Sequence, residues 1–284
     1  LGLLLVVAFS LLMALLAECF LRDEANAGVV PISNPPLTER QQSLIKLLGP
    51  DVVGEPTAAA PINHVRTWCP LQAESVLFHT PGQEGVEHEV SFGWVNRCPG
   101  TPLGSDTGAW TLNSTNRDIK YITHQEGELL LPTEADLHQG VVTVFDPPEA
   151  LLLANVPVGE PRTMSMNVSV YDLHAPGTLK YSGSLKSTYL DLGGYMVHVP
   201  QGTFDARLIS VSNVGKVGPA DINTEYLAFY AEGVGRIAYI NRKHVSAFLF
   251  YNTTTQRGMV LSSSHTVAQK SEPAPTAPAK QKPV

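Results

Sequence analysis

Residues 163–173, TMSMNVSVYDL, alternate over two faces: Met164, Met166, Val168 and Val170 fall on one, Thr163, Ser165, Asn167 and Ser169 on the other. A period of two belongs to a pleated strand, whose successive side chains leave on opposite faces. The pattern predicts a strand with one face buried and one in water. Working outward, further strands are expected at residues 75–78, 90–95, 140–145, 178–185, 195–199, 203–211, 225–231, 236–241, 245–251 and 258–261. Short punctuation such as APG, PQG and TTTQRG separates them, as in antiparallel meanders. In YMVHVPQGTFDARLISV (residues 195–211), Pro200 presets φ for a corner and Gly202 supplies its freedom, so the stretch reads as strand, turn, strand. Gly233 and Gly235, flanking Val234, mark a bulge or a close backbone approach. Only TEADLHQG (133–140) and PPEALLLAN (147–155) read as helical inside this region.

The expected fold is mainly β, an antiparallel sandwich or an open, curved half-barrel. One N-terminal transmembrane helix and a short amphipathic helix precede it. The span is residues 1–21, LGLLLVVAFSLLMALLAECFL, whose single charge is Glu18. As a helix it is about 31 Å long, the thickness of a bilayer core. A cleaved signal peptide is the alternative, with ANA at 25–27 as its site. Cys19 follows the apolar run, but Glu18 stands where a lipid-modified cysteine has a small neighbour, so a plain cysteine at a helix end is expected beside the lipidated reading. Residues 22–63 read as linker around an amphipathic helix at 38–48, where Thr38 and Gln41 have capping-box spacing. Its apolar stripe is Leu44, Ile45, Leu47 and Leu48, and Gly49-Pro50 stops it. The β domain is expected over 64–264. Residues 265–284, with Pro273, Pro275 and Pro278, should form an extended tail.

Composition narrows the function. A net charge of −7 and a pI near 5.7, without a basic run, argue against nucleic acid as a partner. Cys69 and Cys98 lie 29 positions apart, each before a proline. That spacing is foreign to metal sites, and the pair is expected to form a disulfide in an oxidising compartment. The densest metal-type cluster is His79, Glu87, His88 and Glu89 in FHTPGQEGVEHE, which reads more simply as solvated polar residues around a turn. No G-x-S-x-G elbow or phosphate-cradling GxxxxGK[ST] occurs. Asp172 and His174 in VYDLHAPG could serve as orienter and base of a hydrolase if a serine joined them.

Three segments in order, FDPPEALLLANVPVG (145–159), VPQGTFDARLI (199–209) and FYAEGVGRIAYI (229–240), carry a resemblance. Over about residues 141–261 the chain resembles bacterial periplasmic or lipoprotein domains of uncharacterised function. The resemblance implies a half-open, strongly curved antiparallel sheet related in shape to lipoprotein carriers, and it implies no catalytic residues.

These readings yield three expectations. The first is a non-catalytic accessory subunit without cofactors, held single-pass in a bacterial inner membrane with its β domain in the periplasm. It would dock on protein subunits of a larger membrane complex through Leu44, Ile45, Leu47, Leu48 and the prolines 273, 275 and 278. The second is a periplasmic module binding a lipid or other apolar ligand on its concave face. The third is the Asp172/His174 hydrolase.

Overall fold

The computed structural model describes residues 34–72, 74–83, 86–95, 109–114, 117–125, 127–247 and 251–266. The first element is helix α1 (Glu39–Ile45), which tightens into a 3₁₀ turn at Lys46–Leu48. Strand β1 (Val53–Thr57) and the one-turn helix α2 (Val65–Trp68) follow. Then come β2 (Glu74–His79), β3 (Glu87–Val95), β4 (Ala109–Ser114), β5 (Asp118–Gln125), β6 (Glu128–Asp136) and β7 (Val141–Leu153). The chain continues through β8 (Arg162–Asp172), β9 (Leu179–Val199), β10 (Gly202–Val217), β11 (Ala220–Ala231), β12 (Gly235–Ala247) and β13 (Tyr251–Thr266).

The alternating stretch is β8. Met166 and Val168 are buried, while Thr163, Ser165 and Asn167 are exposed. From β2 onward each strand pairs antiparallel with the next, and β13 returns to pair with β2. The twelve strands β2–β13 therefore close into an up-and-down barrel. A sandwich or open half-barrel is thereby corrected: pairing β13 with β2 removes the edges that an open sheet leaves unsatisfied.

Several local expectations change with it. TEADLHQG supplies the end of β6 and a turn, and PPEALLLAN lies in β7 and its following turn. Leu, Ala and Glu favour helix locally, but the ladders of β6 with β7, and of β7 with β8, satisfy the same backbone groups in the barrel. Residues 179–185 and 195–199 belong to one 21-residue strand, β9, and Thr178 precedes it. TTTQRG is strand as well, facing residues 240–245 of β12. The punctuation at 232–234 is a hairpin turn between β11 and β12, with Gly233 at φ 75° and Gly235 at φ 101°.

The segment that reads as linker is built into the domain. Residues 53–57 form β1 and pair with β9 at Gly194, Tyr195 and Val197. Upstream, Thr38 caps α1: its hydroxyl accepts from Gln41 N, and the Gln41 side chain accepts from Thr38 N. The stripe expected to dock on another protein turns inward. Leu44 and Leu48 (0% exposed) are core residues, and Ile45 and Leu47 pack against that core. The helix lies on outward positions of the barrel. Arg40 pairs with Glu225 at 2.5 Å, and the Leu47 carbonyl would stand 2.4 Å from any Cβ at Gly258. This double cover explains why residues 206–211 of β10 are buried without alternation.

On β8 and β9 the outer wall is hydrophilic, with Lys180, Ser182, Ser184 and Lys186 of β9 exposed beside the hydroxyls of β8, whereas Ala109, Tyr121, Ala135 and Val142, on the positions of β4–β7 that alternate with the cavity lining, form a buried apolar cluster. Among the described residues no helix is long and apolar enough to cross a membrane. Residues 1–21 with Cys19, as well as Cys98, Pro273, Pro275 and Pro278, lie outside the described residues.

Gly258→Ala is expected to lower stability by roughly 1–3 kcal/mol, because the added methyl meets backbone of the helical segment and not a side chain that can rotate away. Urea unfolding should show a lower midpoint. A midpoint unchanged from the wild type would mean that the segment does not press on β13.

Candidate functional site

One residue in two along the strands points into the barrel, and twelve strands leave more room than those side chains fill. The lumen holds a cavity of about 780 Å³, lined from every strand of the ring. Its two ends differ. The hairpins at Asp118, Asp136, Val217 and Ala247 gather at one end, and those at Asn155, Gln201 and Gly233 at the other, because consecutive strands run oppositely.

The second end is plugged. Residues 59–71 cross it between β1 and β2, burying Ala59, Ile62, Val65, Trp68, Cys69 and Leu71. Asn155 N donates to Ile62 O at 2.8 Å and Gly233 N to Thr67 O at 2.6 Å, so two barrel turns hold the plug. A buried ion pair fastens its start. Arg207 Nη2 donates to Asp191 Oδ2 at 2.5 Å, Arg207 Nη1 to Ala59 O at 2.9 Å, and Gly193 N to the second Asp191 oxygen at 2.9 Å. The two side chains are 2% and 3% exposed. Cys69 and Pro70 form part of the cavity floor.

The walls mix two chemistries. Val168, Val170, Leu185 and Ile222 make an apolar zone with Phe145 and Val217, near the unplugged end. Between this zone and the floor lies a polar belt. Lys120 Nζ is 3.6 Å from Glu134, and Asn213 Nδ2 donates to Glu149 at 2.7 Å and to Thr224 at 3.1 Å. Burial pushes the Glu149 carboxyl up; the Asn213 hydrogen bond and Lys120 oppose that rise, and Glu134 adds to it. Closer to the plug, Arg236 donates to Tyr226 Oη at 2.7 Å, with its guanidinium 4.2 Å from the Tyr239 ring centre and 5.4 Å from that of Phe78. Asp118 and Asp136 face each other in register at the unplugged end, and burial raises the Asp118 carboxyl.

The residues singled out in the sequence fall elsewhere. Asp172 ends β8, and its carboxylate accepts from the backbone of His174 and Ala175 at 2.8 and 3.1 Å and from Lys180 Nζ at 2.7 Å. Lys180 foremost, then those turn amides, hold it below the usual carboxylate range. His174 stands in the turn beyond the strand, so the two do not share a strand face. His79, Glu87, His88 and Glu89 are split by the sheet: His88 pairs with Arg257, Glu87 with Ser262 and Glu89 with Ser75. Among the described residues no group of three His, Cys, Asp or Glu converges as a metal site. Cys69 is buried on the floor, and its expected disulfide partner Cys98 lies outside the described residues. The belt residues and Arg236 went unrecognised in sequence. The available signal was an arginine placed immediately after a glycine hairpin and before an apolar run, in EGVGRIAYI.

No protein-family model matches the chain, and no curated protein matches it. Among solved structures it is similar to a "putative lipoprotein" from Parabacteroides distasonis ATCC 8503, at 11% identity. The alignment covers 70% of this chain and 98% of that one, with a TM-score of 0.34. That neighbour is of the kind the sequence resemblance named, and a likeness this loose says nothing further about fold or function.

Two outcomes follow from the site's geometry. Arg207→Met should cost about 3–5 kcal/mol, since it strands the Asp191 carboxylate in the interior, and adding Asp191→Leu should recover part of that loss. Denaturant titration of both variants checks it; a double variant less stable than the single would refute the pairing. Glu149→Gln keeps an acceptor for Asn213 and cannot ionise. A carboxyl raised by folding contributes stability below its unfolded value and loses it as pH rises through the folded one. The variant should therefore gain on the wild type as pH climbs from the ordinary glutamate range to neutrality, in paired unfolding curves. A constant offset would exclude this titration.

Proposed function

We propose that the chain is a binding module that holds an apolar or amphipathic small molecule inside its barrel. The observation that carries the reading is the lumen of about 780 Å³, plugged at one end. That volume falls within the roughly 300–1,000 Å³ of small-molecule sites, and the mixture of apolar walls with a few placed polar groups is the composition such sites use. The ligand expected on a concave sheet face becomes, in a closed barrel, a ligand in the lumen. Of the seven residues assigned to docking on a larger complex, the four in the helix are turned onto the chain's own barrel, which moves the accessory-subunit reading behind this one. Asp172, engaged by Lys180 and its own turn, supports binding over hydrolysis as the role of the domain.

The same reading places the barrel in the periplasm of a bacterium, tethered to the inner membrane by residues 1–21. Support comes from the apolar run of that segment and from the hydrophilic outer faces of β8 and β9.

The test is a fluorescence titration with N-phenylnaphthylamine, an apolar dye that brightens out of water. Val170→Trp fills the lumen and should weaken binding roughly tenfold or more, whereas Ser165→Trp, on the wet face of the same strand, should leave it unchanged. Equal loss in both variants, or in neither, would overturn the lumen as the site.

A further inference from the structure

The charges inside the lumen are not all balanced. Lys120 has Glu134, and behind the floor Arg207 has Asp191. Arg236 has neither: among the described residues no carboxylate lies within ion-pair distance of it. Its Nη1 is spent on the Tyr226 hydroxyl, but its Nε is buried and without a hydrogen-bond partner. A guanidinium stays protonated in any protein environment, so this is a permanent cation on the wall of the lumen, with one of its donors unmet. The rings of Tyr239 and Phe78 stabilise its charge in part, and they also fix the plane in which its remaining donors point. Leaving such a group undercompensated costs free energy that packing could have avoided with a leucine. An anion seated there would recover it.

The rest of the lumen states what kind of anion. Arg236 opens β12, at the plugged end, whereas Asp118 and Asp136 face each other at the unplugged end. An anionic head is therefore repelled where it would enter and held where it would stop. The apolar zone of β8 and β9 lies between the open end and the polar belt, where a chain trailing from the head would lie.

Resting on the lumen reading above, we propose that Arg236, with the Tyr226 hydroxyl beside it, is the receptor for the carboxylate of an amphiphile that binds head-first, its aliphatic chain directed toward the open end. The Arg236 guanidinium supplies the charge-assisted hydrogen bond, and Tyr226 orients it through Nη1. Besides Lys120, which has Glu134, the described wall carries one more cation, Lys243, but it is exposed and seven positions further along β12 toward the open end, where water screens it.

The experiment compares dodecanoate with dodecanol, which share a chain and differ in the charged head, by displacement of N-phenylnaphthylamine from the whole protein. The wild type should prefer dodecanoate roughly tenfold or more, the size of one buried charge-assisted bond. Arg236→Gln should abolish that preference while dodecanol binding persists, which also reports that the barrel is intact. Arg236→Lys should keep part of the preference, and Lys243→Gln all of it. Equal affinities of the wild type for the two compounds, or a preference that survives Arg236→Gln, overturns the carboxylate receptor and leaves the lumen reading standing. A preference lost in Lys243→Gln instead moves the receptor to the open end and refutes the head-first pose. Failure of the wild type to bind either compound, or the dye itself, defeats the lumen reading and this proposal together.

Discussion

Strand β9 has three partners, and the rest of the molecule hangs on how it divides itself among them. One edge pairs with β10 along nearly its whole length. The other pairs with β8 from Leu179 to Tyr189, then with β1 from Gly194 to Val197. Between them, at 190–193, the strand changes partner. This is where Asp191 sits, opposite the register shift between Arg207 and Ile209 on β10. A strand that lost β8 and gained nothing would leave a row of backbone donors and acceptors unmet. By taking over, β1 satisfies them, and the chain leaving β1 is delivered to the mouth of the barrel as the plug. The Arg207–Asp191 pair is buried at that handover and reaches Ala59 of the plug, so the ladder, the ion pair and the floor of the lumen form one mechanical unit.

The sequence reveals some of this and hides the rest for physical reasons. Thr163 to Tyr171 are legible because one face of β8 meets water, and alternation records that asymmetry. Ala206, Arg207, Leu208, Ile209, Ser210 and Val211 do not alternate, since the helical segment at 39–48 covers one face and the lumen the other. Strands β4, β5 and β6 went unseen. In β5 and β6, irregularities at 121–123, 129–130 and 131–133 break the period just where a window would measure it. The capping box of Thr38 and Gln41 is a local device and can be read locally. The docking of Leu44 and Leu48 is not: the same stripe serves a partner or the chain itself, and only the close approach at Gly258 decides between them.

The candidate site is harder still to see in one dimension. Lys120, Glu134, Glu149, Asn213 and Arg236 come from five strands, with no common motif. What joins them is register. Lys120 faces Glu134 across β5 and β6, Asn213 faces Thr224 across β10 and β11, and Tyr226 faces Asn241 across β11 and β12. Each is unremarkable alone, because a charged residue in a strand is ordinarily on the wet side. Inside a barrel the rule inverts wherever the lumen itself is wet or filled.

That inversion follows from strand number. A barrel of about eight strands is just filled by its inward side chains, and polar groups are then excluded from it as from any core. At twelve strands the circumference outgrows what Val, Leu and Phe can span. The surplus volume is either hydrated or occupied, and both states tolerate ionised groups on the wall. Hydration alone, however, would not explain why an arginine without a carboxylate stands above the floor, while two aspartates face each other at the open end. Water solvates either sign equally well in either place. In the proposed pose, this placement of charge tells the two ends of an amphiphile apart.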